Sequence, residues 1–338
     1  MSALTPDLIQ AHLDALTKPP RSLGRLETLA ARLCGIQGTL APRTRPRRLV
    51  VFAGDHGCVA SGVSAWPQAV TRAVLDVAAQ GRSACAVLAR SVDCELELVD
   101  VGSCNPPASG GRVRVEHLAF GTRDLAFEPA MTAGEWRSAF EIGAARGRRA
   151  HSDGIQVAIA GEVGIGNTTS AAALAALVLE VDPDPLVGRG AGADDAQLER
   201  KRSVVRAGVA RARGMRDPES AFGAVGGYEI AAMAGFQAEC ASRGMVVVLD
   251  GAIASAAALC AERLRPGTRD ALIAAHRSVE PAHAAMLAHL ALEPHLEWDL
   301  RLGEGTGALL LVPLLDAAAA LVSQMATFDD LELGGAAG

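Results

Sequence analysis

The sequence predicts an α/β protein, and three observations carry that expectation. Short apolar runs with β-branched residues, at 49–53, 155–160 and 244–250, read as buried strands. Each run ends in a glycine-bearing turn: Gly54-Asp-His-Gly57, residues 161–166, and Asp250-Gly251. Helix-forming sequence follows each turn, most plainly in the alanine-rich stretch 171–180. With 338 residues, half of them apolar, the chain buries a large core in one large domain or two small ones. Aromatics are 3% of the residues, so that core is built from Ala, Val and Leu.

Composition narrows the function classes. The net charge of −6 argues against nucleic acid as the main partner. The seven cysteines, at 34, 58, 85, 94, 104, 240 and 260, are scattered, odd in number and free of any C-x-x-C, which disfavours a disulfide framework or a zinc site. The amino-terminal residues lack a signal-peptide pattern, and the carboxy-terminal Ala/Leu run is broken by Pro313 and Asp316. A cytoplasmic protein with no membrane span is expected.

In chain order, residues 7–17 and 22–40 carry apolar residues at helical spacing. The basic stretch 41–48 reads as a solvated connector, because its four arginines have no interleaved aromatics. After the strand at 49–53, a helix extends to about residue 90. Residues 95–101 alternate and form the next strand. A glycine/proline loop covers 102–112, 113–131 is irregular with room for a short hairpin, and 132–152 is a charged helix. Beyond 180 lie a second glycine loop at 187–195, a basic helix at 197–213, a helix opening at 224–235 and the strand at 244–250. An alanine-rich helix follows around Ser255. A further helix begins at 276–283. A short strand enters the glycine turn at 300–308, which opens a long apolar helix at 307–325.

The stretch 155–170 carries the first chemical signal. Strand, glycine turn and helix start together make an anion site, because the first helical N–H groups lack partners and the dipole is positive there. Glu162 sits in the same stretch, so a phosphorylated ligand beside an acid is one reading; a ligand-free structural turn is the other. The G-x-G-x-x-G fingerprint lacks its third glycine, and no Gly-Lys-Thr follows. Lys201 is a solvated charge unless the glycine loop folds it toward a phosphate. Asp250 reads as a hydroxyl binder or as the N-cap of the next helix. Asp55 and His56 read first as loop-fixing groups and second as ligand contacts. The later histidines lack the i, i+4 spacing of a zinc helix. Glu304, between two glycines and apolar neighbours, would have its carboxyl pushed upward by desolvation, as a general base near neutral pH requires.

Six segments taken in order resemble one family over about 300 residues. They are Lys18-Pro-Pro-Arg-Ser-Leu-Gly, Gly54-Asp-His-Gly, Gly161-Glu-Val-Gly-Ile-Gly-Asn-Thr-Thr, Val225-Gly-Gly-Tyr-Glu, Leu249-Asp-Gly and Arg301-Leu-Gly-Glu-Gly-Thr-Gly-Ala. The family is nicotinate-nucleotide:dimethylbenzimidazole phosphoribosyltransferase, of the lower-ligand branch of cobalamin synthesis. The resemblance implies a parallel Rossmann-like sheet with helices on both faces in a catalytic domain over 45–315. A small helical subdomain would come from 1–44 with 316–338. It also implies a homodimer with sites near the subunit interface, and neither metal nor organic cofactor.

The implied reaction moves ribosyl phosphate from nicotinate mononucleotide to 5,6-dimethylbenzimidazole, giving α-ribazole 5′-phosphate and nicotinate. By resemblance, Glu304 matches the general base and Glu162 the second acid. Gly164, Gly166, Asn167, Thr168, Gly190, Lys201 and Ser278 match the phosphate side, and Asp250 a polar contact to the nucleotide. Asp55, Trp66, Val74 and Val163 match the base pocket. Trp66 and Val74 fall where some relatives carry smaller or more polar residues, so another benzimidazole or a purine is the alternative base. A nicotinamide-dependent oxidoreductase is the alternative from another enzyme class.

Overall fold

Fully buried apolar strands satisfy their backbone only in a sheet covered on both faces, and the chain builds one. In the computed structural model, which describes residues 4–108 and 110–331, six parallel strands form one sheet. Residues 1–3 and 332–338 of the expected terminal subdomain, and Ser109 of the 102–112 loop, lie outside the described residues. The elements are α1 (Pro6–Ala15), α2 (Arg25–Gln37), β1 (Arg47–Gly54), α3 (Ala69–Ala79), α4 (Ala84–Ser91), β2 (Glu95–Gly102) and β3 (Val113–Val115). Then come α5 (Ala133–Ser152), β4 (Val157–Val163), α6 (Asn167–Leu179), α7 (Asp195–Ala212), α8 (Pro218–Val225), α9 (Tyr228–Ser242) and β5 (Val246–Leu249). The chain closes with α10 (Ala252–Leu264), β6 (Leu272–Ala274), α11 (Pro281–His289) and α12 (Thr306–Gln324).

The strand order is β3-β2-β1-β4-β5-β6, that of a doubly wound Rossmann sheet. Alternation along each strand feeds two cores. Leu49 and Val51 of β1 enter one, with α1, α2, α4 and α12. Val50 and Phe52 enter the other, with α5 to α11. Helix α12 is long and apolar enough to cross a membrane by length and composition, but more than half of that stretch is buried in the fold. The two ends of the described chain meet: the Thr17 N–H donates to Ala326 O at 2.9 Å. The expected division at residue 315 falls inside α12.

Several sequence expectations shift. Residues 69–91 form two helices, because the chain breaks after α3 and Ser83 caps α4 by accepting from Ala86 N. Residues 113–115 pair parallel to β2 at the sheet edge and make no hairpin. Arg47 and Arg48 belong to β1, with Arg47 bonded bidentately to Asp316 at 2.9 and 3.0 Å and Arg48 to Glu95 and Asp153. Strand β4 runs on through Glu162, which pairs with Phe52 of β1, so Glu162 is a strand residue and not a turn residue. Residues 300–303 are not a strand, and α11 starts at Pro281. Strand β6 and helix α8 were not anticipated.

Helices α5 and α9 approach closely through two glycines. Gly143 of α5 lies on the Ala232 carbonyl of α9, and Gly235 of α9 lies on the Phe140 carbonyl of α5; a Cβ at either would overlap backbone. Overpacking a tight contact costs about 1–3 kcal/mol. Gly143→Ala is therefore expected to lower the urea midpoint of unfolding by at least that stability. An unchanged midpoint would mean that the helices move apart without cost.

Candidate active site

In a sheet of this order the connections diverge on either side of the β1/β4 pair, leaving a crevice beyond the carboxyl ends of the strands. A cleft of about 190 Å³ opens there, lined from the ends of β4, β5 and β6 and from the turn before α12. Ten of the expected site residues line it: Glu162, Val163, Gly164, Asn167 and Thr168 from β4 and α6, Val74 from α3, Gly190 from the glycine loop, and Asp250, Ser278 and Glu304.

Glu304 lies in a left-handed stretch, with φ of +90°, +59° and +78° at Gly303, Glu304 and Gly305. This conformation is unfavourable for a residue with a Cβ. Two contacts hold it. Asp250, at the end of β5, accepts from Gly305 N at 3.1 Å, Gly307 N at 2.7 Å and Ala308 N at 3.2 Å, so it caps α12 and not the helix that follows it. Gly161 of β4 lies directly under the Glu304 backbone, where any side chain would collide. The carboxylate accepts from Cys85 N at 3.4 Å and is mostly buried.

Glu162 faces the same cleft. Its carboxyl lies against Gly303 and accepts from the Asn167 amide. Burial, then the charges of Asp250, Glu229 and Glu304, push this carboxyl well above the usual glutamate range. It therefore keeps its proton beyond the pH at which an ordinary glutamate ionises.

An alcove of about 70 Å³ adjoins the cleft, lined by Gly164, Gly166, Thr168 and Lys201. Helix α6 starts there after Gly166, an N-cap residue with no side chain to cap it, and its first-turn side chains are engaged elsewhere. Asn167 bonds Glu162, Thr168 bonds Lys201, and Ser170 bonds His56. The lysine is buried, and its Nζ donates to Thr168 Oγ1 at 2.8 Å and Gly188 O at 2.9 Å. Burial pulls its pKa down against the raising influence of Glu280. An uncapped helix start beside a cation suits a phosphate.

Asp55 and Trp66 are not among the residues lining cleft or alcove. Asp55 is buried and holds loops: Thr71 Oγ1 donates to it at 2.5 Å and Cys104 N at 2.8 Å, while Thr71 accepts from Ile165 N. His56 is fully buried between Glu229 at 2.7 Å and Ser170 at 2.9 Å. Trp66 is half-exposed and bonds the glycine loop. Sequence reasoning missed Glu280, which accepts from Gly190 N at 3.0 Å, and His276, which lines the cleft 3.5 Å from Asp250. The signal for Glu280 was the Glu-Pro start of α11. A larger depression of about 820 Å³ lies over the β2/β3 edge, but its charges pair with one another, as in Arg146–Glu97 and Arg48–Glu95, and it holds none of the expected site residues.

A family model described as "Phosphoribosyltransferase" matches residues 3–332. The nicotinate-nucleotide–dimethylbenzimidazole phosphoribosyltransferase of Pseudomonas putida (strain W619) is 47% identical over 323 residues, 95% of this chain and 92% of that protein. The protein of the same name from Pseudomonas aeruginosa (strain PAO1) is 47% identical over 316 residues, 93% of this chain and 90% of that one. CobT from Thermus thermophilus superposes with a TM-score of 0.94 at 42% identity, covering 98% of this chain and 99% of its own.

The raised Glu162 carboxyl has a measurable consequence. An unfolded glutamate titrates near 4.5, and the folded one higher. Between those values the folded state binds more protons than the unfolded state, so stability falls as pH rises. Glu162→Gln, which carries no titrating proton, is expected to lose less stability than wild type as pH rises above the ordinary glutamate range. Parallel stability–pH curves for the two proteins in urea would show that Glu162 is ionised in the fold.

Proposed function

The chain belongs to the family of nicotinate-nucleotide–dimethylbenzimidazole phosphoribosyltransferases, and on that premise we propose how its cleft transfers ribosyl phosphate from nicotinate mononucleotide to 5,6-dimethylbenzimidazole. The observation that carries the reading is one cleft faced by two glutamates from distant segments and ending in the Lys201–Thr168 alcove. The substrate phosphate enters the alcove, onto the start of α6 and the Lys201 ammonium. Ser278 and Gly190 close the same end, and C1′ of the ribose then lies toward the carboxylates.

The acceptor base lies against Val74 and Val163, with its N–H toward Glu304. The carboxylate of Glu304 takes that proton while the other ring nitrogen attacks C1′. The bond from C1′ to nicotinate breaks, and its electron pair returns to the pyridinium nitrogen, neutralising the ring. Nicotinate needs no proton to leave. Attack opposite the leaving group converts the β linkage to α and yields α-ribazole 5′-phosphate. Glu162, its carboxyl pushed upward by burial and by its acidic neighbours, orients Asn167 beside Glu304. Base catalysis supplies roughly 10²–10⁴-fold, and held geometry supplies the rest.

We read the active form as a homodimer with the cleft near its interface. Leu302, which lines the cleft, and Trp298, four residues before it, are each 60% exposed, as surface destined for a partner is. Sedimentation velocity is expected to give twice the 34.7 kDa chain mass; a monomer at working concentrations would refute the dimer.

Incubation with nicotinate mononucleotide and dimethylbenzimidazole is expected to give α-ribazole 5′-phosphate and nicotinate, identified by chromatography and mass. Well-folded protein that forms no product would refute the activity. Glu304→Gln is expected to lower kcat by roughly 10²–10⁴-fold with little change in the KM for nicotinate mononucleotide. A variant as fast as wild type would remove Glu304 as the base.

A further inference from the structure

The glycine loop at 187–193 forms one wall of the alcove; within it Ala193 N donates to Arg189 O at 3.0 Å and Arg189 Nη1 to Ala193 O at 2.9 Å. Glycines stand at 188, 190 and 192, with φ of +55° and +104° at the last two. Three side chains from elsewhere hold it: Lys201 at Gly188 O, Glu280 at Gly190 N, and Trp66, whose indole Nε1–H donates to Ala191 O at 3.1 Å. Trp66 comes from the loop that forms the facing wall, where Val63, Ser64 and Ala65 line the alcove. Two further bonds tie the Trp66 loop to helix α7, which follows the glycine loop: Gln197 Nε2 donates to Ser64 O at 3.1 Å, and Arg200 Nε to Gly62 O at 3.0 Å. Ser64 Oγ accepts from Trp66 N at 3.1 Å and donates to Trp66 O at 3.0 Å, so the turn presenting the indole is itself braced.

We propose that Trp66 is a positioning residue for the phosphate end of the substrate, its indole N–H strapping the 187–193 loop across the alcove. This rests on the reading of the alcove as the phosphate site. The side chain is 51% exposed, too open for core packing to explain a tryptophan there. It bonds the loop backbone next to Gly190, which lines the cleft. The expected effect is on affinity for the nucleotide and not on the base or the chemical step, because Trp66 acts through the loop.

The test is Trp66→Phe, which keeps an aromatic ring and removes the donor. Loss of one such bond is expected to raise the KM and the calorimetric Kd for nicotinate mononucleotide roughly three- to tenfold. The kcat and the KM for dimethylbenzimidazole are expected to stay within about twofold. Gln197→Ala, which frees the Trp66 loop from α7 at Ser64, is expected to shift the nucleotide Kd in the same direction. Titration with the nucleotide is expected to change tryptophan fluorescence in wild type, and to do so less in Trp66→Phe. Unchanged nucleotide affinity in both variants overturns the proposal, and so does a rise confined to the KM of the base. If wild type binds the nucleotide but forms no product, the reaction assignment fails while the two affinities still decide the role of Trp66. If wild type does not bind it, both fall.

Discussion

The carboxylate of Asp250 is the interaction on which the site depends. It ends a central strand and accepts three backbone N–H groups at the start of α12. A buried carboxylate at a helix N-terminus is well satisfied, because amide dipoles replace the water it has lost. That satisfaction holds three consecutive left-handed residues, including Glu304. Glycine before and after Glu304 makes the turn accessible, and Gly161 beneath it leaves room for the backbone. The position of the proposed base is thus set by a strand end, a helix start and a missing side chain, none of which contacts the proton it is to take.

The same region gathers four acidic groups: Glu162, Glu229, Asp250 and Glu304. Like charges this close in a poorly solvated place repel strongly, and the fold gives each a different settlement. Asp250 is bound to helix amides and Glu229 to His56. The Glu162 carboxyl is pushed well above the usual glutamate range. Glu304 is left facing the cleft with a single weak backbone contact at Cys85. Only a carboxylate with few fixed partners is free to take up a proton from an incoming base.

Much of this was legible in the sequence because it follows from backbone rules. The apolar runs at 49–53 and 155–160 sit at the centre of the sheet with 244–250 beside them, and the glycine-flanked Glu304 opens α12 at the cleft. What was illegible depends on pairing across the sheet and on tertiary partners. The glycines after Ala160 suggested a turn, but the ladder with β1 carries Gly161 to Val163 as strand. Strand β6 has three residues, too few to show a period. Arg47 and Arg48 read as solvated because their acids, Asp316, Glu95 and Asp153, are remote in sequence. Trp66 was placed with the base by resemblance. Its bond to Ala191 reflects how two loops meet, which no local pattern encodes.

The parallel order of the sheet also fixes when the site comes into being. Adjacent strands β1 and β4 are separated by roughly a hundred residues, and the Glu304 turn packs on Gly161 from near the far end of the chain. Contacts of such long sequence separation form late, because loop closure must precede the reward for making them. The alcove too joins distant segments, the 63–65 loop and the run from the end of β4 to α7. Cleft and alcove therefore both come into being only when segments far apart in the chain have met. Recovery of nucleotide binding and recovery of turnover during refolding both report that late closure.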